Sequence, residues 1–185
     1  MSFMLLGILN SQAAGGGGAA YDLLETTTLS SSASSVTFSS IDQSYSHLEI
    51  RATAKVFSNR TLKARLNNIS TASYAWHNLR GDGSTISTQG ASNQSNIDIG
   101  EGMSNINTSG AFAGFIISVL DYSSSEKNTT TRAFTGYADS SSFSNVNITS
   151  GFLNSTQAIN QIEFFLNGTN FISGTRFSLY GIKGA

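Results

Sequence analysis

His47 and His77 are the two histidines of the chain, and each occupies a polar position in a run where apolar and polar residues alternate. With no cysteine, a thiolate zinc site, a Cys nucleophile and a disulfide framework are all excluded. Neither histidine has an Asp or Glu at metal-ligand spacing nearby, so a zinc site would need residues converging from distant parts of the chain. A Ser-His-Asp triad stays open because serine is abundant, but no nucleophile-elbow sequence is present and the abundance is compositional. A carboxylate pair for glycoside cleavage would have to come from Asp98, Glu101, Asp121, Glu126, Asp139 or Glu163, whose separations depend on the fold. Asp121 and Asp139 fall at strand ends, where turn capping accounts for them. The tract Gly15 to Gly18 has neither the following Lys-Ser/Thr nor the preceding strand of a phosphate loop. Asn68-Ile69-Ser70 and Asn128-Thr129-Thr130 match the glycosylation triplet, as chance provides in so Asn- and Thr-rich a chain. These residues carry no catalytic signature, and the expectation is a non-enzymatic protein with no cofactor and no metal.

Composition restricts the partners as well. Only 11% of the 185 residues are charged and the formal net charge is -1, so nucleic acid and polybasic membrane contacts lack electrostatic support. Ordinary globular chains carry about twice that charged fraction, so Ser, Thr, Asn and Gly must cover much of the surface. The length suits one domain with a sizeable core. Proline is absent, so Gly, Asn and Asp must supply the turns.

The elements follow a two-residue period. Leu48, Ile50, Ala52, Ala54 and Val56 alternate with His47, Glu49, Arg51, Thr53 and Lys55, the pattern of a half-buried strand. Val36 and Phe38 share that alternation, making 34–56 a strand, loop, strand segment. Further strands are expected at 21–29, 60–66, 74–79, 129–139, 145–152, 159–166 and 174–182, with a brief one at 97–99. In 145–152, Val146, Ile148 and Phe152 share one side; near the end, Phe177 and Leu179 stand opposite Tyr180 and Ile182. The run 111–122 is apolar on both faces and is expected at the centre of a sheet. No stretch is a convincing amphipathic helix. The fold class is therefore all-β, a single-domain antiparallel β-sandwich of jelly-roll type, with the domain at 21–185 and an extended arm with a glycine-rich linker at 1–20.

Three places remain for binding. The arm carries Phe3, Met4, Leu5, Leu6, Ile8 and Leu9, too short a run to cross a bilayer and without the basic region of an export signal. It is expected to pack on a neighbouring subunit or along its own sandwich, or else to be a disordered tail. From Arg80 to Gly110 the pattern weakens, and an exposed loop is expected to present Arg80, Asp82, Asn93, Asn96 and Asn105. Arg80-Gly81-Asp82 spells an integrin-type tripeptide that an Asp-Gly turn explains. Tyr74 and Trp76 are candidate aromatic anchors.

Four ordered stretches carry a likeness to known proteins: Leu6-Gly7-Ile8-Leu9-Asn10-Ser11-Gln12 before the glycines; Ser34 to Ile41 followed by Tyr45 to Arg51; Leu120-Asp121-Tyr122 with Lys127 to Thr130; and Phe177 to Ala185. In these the chain resembles small virion structural proteins of tailed bacteriophages, notably those of marine and cyanobacterial hosts. The family often has a proline after the Ile of the second stretch, where this chain has Asp42. The resemblance implies a β-sandwich on the outer surface of a virion, made in the host cytoplasm. It further implies a capsid decoration or cement protein bound to the major capsid protein or other virion proteins, and a homo-oligomer, with a trimer the expected form. The alternative is a tail or tail-fibre component binding host glycan, with Tyr74, Trp76 and Tyr137 as stacking aromatics.

Overall fold

The computed structural model describes residues 20–56, 60–103, 110–138 and 144–184, with backbone only at 101–103. Twelve strands are described: β1 (Tyr21–Thr28), β2 (Ser35–Ser39), β3 (His47–Ala54), β4 (Arg60–Leu66), β5 (Tyr74–Gly81), β6 (Ile86–Gln94), β7 (Ile97–Met103), β8 (Ala113–Leu120), β9 (Thr129–Tyr137), β10 (Asn145–Leu153), β11 (Gln161–Phe165) and β12 (Arg176–Ile182). They form an eight-stranded sheet, β1-β12-β3-β8-β9-β10-β5-β6, and a four-stranded sheet, β2-β11-β4-β7. Every pairing between them is antiparallel. The chain is all-β, with two sheets facing one core.

The core follows from the alternation. In β3, Leu48, Ile50, Ala52 and Ala54 are buried, and β12 beside it contributes Phe177 and Leu179. Across the gap, β2, β4 and β11 supply Phe38, Leu62, Ala64, Leu66, Ile162 and Phe164. Phe164 stacks on Phe177 with ring centroids 5.0 Å apart, and Phe171 meets Phe177 edge-on at 5.5 Å, locking the sheets by aromatic contact. The 34–56 segment crosses from one sheet to the other, since β2 and β3 belong to different layers. Without proline, left-handed backbone at Ser40, Asn67, Asn68 and Asp121, and at four glycines, makes turns, while at Asn93 it accompanies a register shift within β6.

Two expectations need correction. Residues 80–110 are not one long loop, because β6 and β7 run through them. Strand β6 is the edge of the large sheet and is largely exposed on both faces, so its Ser, Thr, Gln and Asn residues had no apolar face to repeat. Strand β8 is central, yet its two faces are not both covered: Ala113, Phe115, Ile117 and Val119 are buried while Ile116 is 47% exposed. Nothing described packs against that outer side of the large sheet.

Around β9 and β10 the usual polarity is inverted. The inward side chains include Thr131, Thr135, Asn147 and Thr149, all buried. Asn147 Nδ2 donates to Thr135 Oγ1 at 3.2 Å and to Asn145 Oδ1 at 2.8 Å, and Asn78 Nδ2 of β5 donates to Thr149 Oγ1 at 2.9 Å. Hydrogen bonding lets these polar groups sit inside. Glycine makes room for them: a Cβ at Gly151 would lie 2.4 Å from Thr131 Oγ1 and 2.7 Å from Ile97 Cγ2. Because a strand alternates its faces, polar residues inside put Phe134, Val146, Ile148 and Phe152 outside.

Candidate interaction face

Ladder register arranges the outer face of the large sheet in rows across the strands. Ile116 of β8 pairs with Phe134 of β9, Phe134 with Ile148 of β10, and Ile148 with Leu79 of β5. These four side chains form a ridge, each between 46% and 56% exposed. Two residues along every strand lies a lower row, Gly114 with Gly136, Gly136 with Val146, Val146 with Gly81, and Gly81 with Ile86 of β6. A Cβ at Gly136 would meet nothing within 4 Å, at Gly114 only the Gly136 carbonyl oxygen at 4.0 Å, and at Gly81 only Val146 Cγ1 at 3.8 Å. The glycines thus floor a shelf beside the ridge. A shallow depression lined by Leu79, Arg80, Gly81, Ile86, Phe134, Val146 and Ile148 marks where the two meet.

The other surfaces differ chemically. On the outer face of the small sheet, Lys63 pairs with Asp98, and Arg65 lies 3.5 Å from Glu163 while its guanidinium stacks 4.2 Å over the Phe165 ring. On the β1-β12-β3 side of the large sheet, Arg51 Nε bonds Glu49 Oε1 at 2.8 Å, with its guanidinium 5.4 Å from the Tyr21 ring and 5.1 Å from that of Tyr180. Apolar exposure is concentrated on β8, β9, β10, β5 and β6. Counting Ile86 and Phe152 with the others, it leaves on the order of 600 Å² of apolar side-chain surface in water, at the top of the range seen on monomers.

The expected site residues fall elsewhere or have structural partners. Tyr74 is a core residue, not an exposed anchor: its phenol accepts from the Leu66 N–H at 3.0 Å, and its proton faces the carbonyls of Leu66 at 3.2 Å and Ile69 at 3.0 Å. Burial pushes that phenol above its ordinary pKa. Tyr137 is buried too, so neither tyrosine can stack on a sugar. Trp76 packs half-buried against the core, and its Nε1 has no hydrogen-bond partner among the described residues. Arg80 is the penultimate residue of β5, and Asp82 shapes the β5–β6 turn, its Oδ1 accepting from Ser84 N at 3.0 Å and Thr85 N at 2.7 Å. Those backbone donors hold the Asp82 carboxyl below the usual carboxylate range. Asn93 sits with φ 55° near the end of β6, and Asn96 is buried, donating to Asp98 Oδ1 at 2.9 Å. Asn105 and the arm residues Phe3, Met4, Leu5, Leu6, Ile8 and Leu9 lie outside the described residues, as does Asp139.

Among the described residues the two histidines do not converge on one site, although His47 Nδ1 lies 3.4 Å from Asp121 Oδ1. His47 is on β3 and His77 on β5, four strand spacings or roughly 19 Å apart. His47 Nδ1 accepts from the Asp121 N–H at 2.9 Å. Asp121 in turn pairs with Lys127 at 2.7 Å, and chiefly that bond lowers its pKa. Among the described residues, no group of three or more His, Cys, Asp or Glu side chains could hold a metal ion, and no helix is long and apolar enough to cross a membrane. The apolar face escaped the sequence reading, although its signal was present: a large apolar residue and a glycine two apart in β8, β9 and β5, with Thr or Asn on the intervening positions of β9 and β10.

Comparison with protein-family models, with curated proteins and with solved structures gives no match.

Proposed function

We propose that this chain is a structural protein of a tailed-phage virion, a capsid decoration or cement protein that seats on the outer capsid surface and stabilises the head. Its module is a jelly-roll-like sandwich carrying an arm over residues 1–20. One observation supports an assembly role: the exposed apolar ridge and shelf on β8, β9, β10, β5 and β6, opposite a small sheet whose outer face carries paired charges. A surface of this kind costs free energy in water and is retained where another protein covers it. The virion setting, the capsid partner and the non-enzymatic role rest on the sequence resemblance. The tail-component alternative draws no support from Tyr74 and Tyr137, which are buried.

Cryo-electron microscopy of particles carrying the labelled chain tests this reading. Density over capsomer junctions is expected, and density confined to portal or tail overturns the head assignment. Binding of the purified chain to a host-glycan array would favour the tail alternative.

A further inference from the structure

We infer that the apolar face is an interface between two copies of this chain, packed face to face about a two-fold axis. The inference names a partner for the assembly subunit proposed above and rests on that reading.

Three strands carry the same device. A large apolar side chain and an open glycine stand two residues apart on one face: Ile116 with Gly114 in β8, Phe134 with Gly136 in β9, and Leu79 with Gly81 in β5. Because the register aligns these pairs, the apolar members make one ridge together with Ile148, and the glycines a shelf beside it that Val146 of β10 interrupts between Gly136 and Gly81. A two-fold axis lying in the contact plane, across the strands and between the two rows, exchanges them. Each strand then lies over its counterpart, with Phe134 of one copy above Gly136 of the other and the reverse. The face is self-complementary in shape along β8, β9 and β5, while on β10 Ile148 meets Val146 of the other copy in apolar contact.

Size and charge agree with this occupant. Ridge and shelf without Phe152, which stands two rows beyond the ridge, expose on the order of 500 Å², and the flanking Ser118, Ser150 and His77 extend this toward the roughly 800 Å² per partner of a standard interface. Arg132 shares the row of Ser118, Ser150 and His77 at the ridge-side rim of the contact, so the axis sends its symmetry mate to the opposite rim, roughly 20 Å away, and like charges do not meet. The pairing is two-fold, in place of the trimer that resemblance alone implies.

Light scattering on the eluting full-length chain, with sedimentation equilibrium, tests the inference. The wild type should double in mass as concentration rises through the micromolar range. Phe134→Gly, which removes the ridge, and Gly136→Phe, which fills the shelf, should each weaken association at least roughly tenfold. Both positions are open to solvent, so circular dichroism should show the fold retained. The double variant F134G/G136F moves the knob to the shelf row and restores pairing through the same axis. A chain that stays monomeric to about 1 mM, a trimer, or a dimer indifferent to both single variants overturns the inference. So does a monomer that dimerises only when residues 1–9 are removed, since the arm would then be the occupant. A monomer found on capsids keeps the proposed function and loses the pairing; a variant-sensitive dimer whose density lies only on the tail does the opposite.

Discussion

Ile50 of β3 and Leu179 of β12 stand directly opposite one another in the ladder, and both side chains are closed to solvent. The two strands come from opposite ends of the described chain, so this pair joins sequence-distant segments into one layer of the core. Replacing Ile50 by Asp would bury a carboxylate in the apolar core. Loss of cooperative unfolding, or destabilisation beyond about 4 kcal/mol, is expected in a denaturant melt followed by circular dichroism. A variant melting within a few degrees of wild type would mean that the inward face of β3 is wrongly assigned.

Glycines on the two sides of the large sheet should respond oppositely to alanine. At Gly151 the added methyl would press on Thr131 and Ile97 across the core, costing about 1–3 kcal/mol. At Gly136 it meets open space, so in dilute, monomeric protein the change should be neutral or stabilising by up to about 1 kcal/mol. Equal urea midpoints for the two variants would contradict the placement of the faces.

Tyr74 ties β5 to the end of β4 through three backbone groups. Phenylalanine keeps the ring and removes the hydroxyl from all three, leaving the Leu66 carbonyl only its bond from the Ile69 N–H, so Tyr74→Phe should lose about 1–3 kcal/mol in chemical denaturation. An unchanged midpoint would show that water replaces the hydroxyl without cost.

Alkaline stability should depend on the same phenol. Burial raises the pKa of Tyr74, and likewise that of Tyr122, whose hydroxyl donates to the Asp42 carbonyl. A group with a raised folded-state pKa binds its proton more tightly in the native protein. Its contribution is complete below the ordinary phenol value of about 10 and is lost as pH rises through the folded-state value. Unfolding free energy measured from pH 8 upward should therefore hold steady and then fall above about pH 10. The fall should be shallower in Tyr74→Phe; an identical slope would remove Tyr74 from the account.

Much of this architecture was legible in the sequence, and its failures share one cause. Strands such as β3 and β12 bury one apolar face and expose one polar face, so Leu48, Ile50, Phe177 and Leu179 declare their direction by alternation alone. In β10 Val146, Ile148 and Phe152 point outward, and Asn147 and Thr149 point inward, where Asn147 Nδ2 donates to Thr135 and Thr149 Oγ1 accepts from Asn78. Hydrophobicity by itself would turn that strand over. Strand β6 was hidden for a different reason, since an edge exposed on both faces has no period to display. The candidate site was missed with them, because it consists of side chains that only the register of separate strands assembles. Aromatic character misled at Tyr74 and Tyr137, where ring size found use in the core.

Strands β1 and β12 lie side by side at one edge, with Tyr21 opposite Ile182. Just beyond that pair, the Lys183 N–H donates to the Ala20 carbonyl at 3.2 Å, and the Lys183 ammonium bonds Asp22 at 2.8 Å. Whatever polypeptide leads into residue 20 and out of residue 183 thus enters and leaves through one doorway. A sandwich closed in this way can be spliced into a surface loop of another protein across a gap of a single hydrogen bond, leaving the ridge on β8, β9, β10 and β5 clear of the joint.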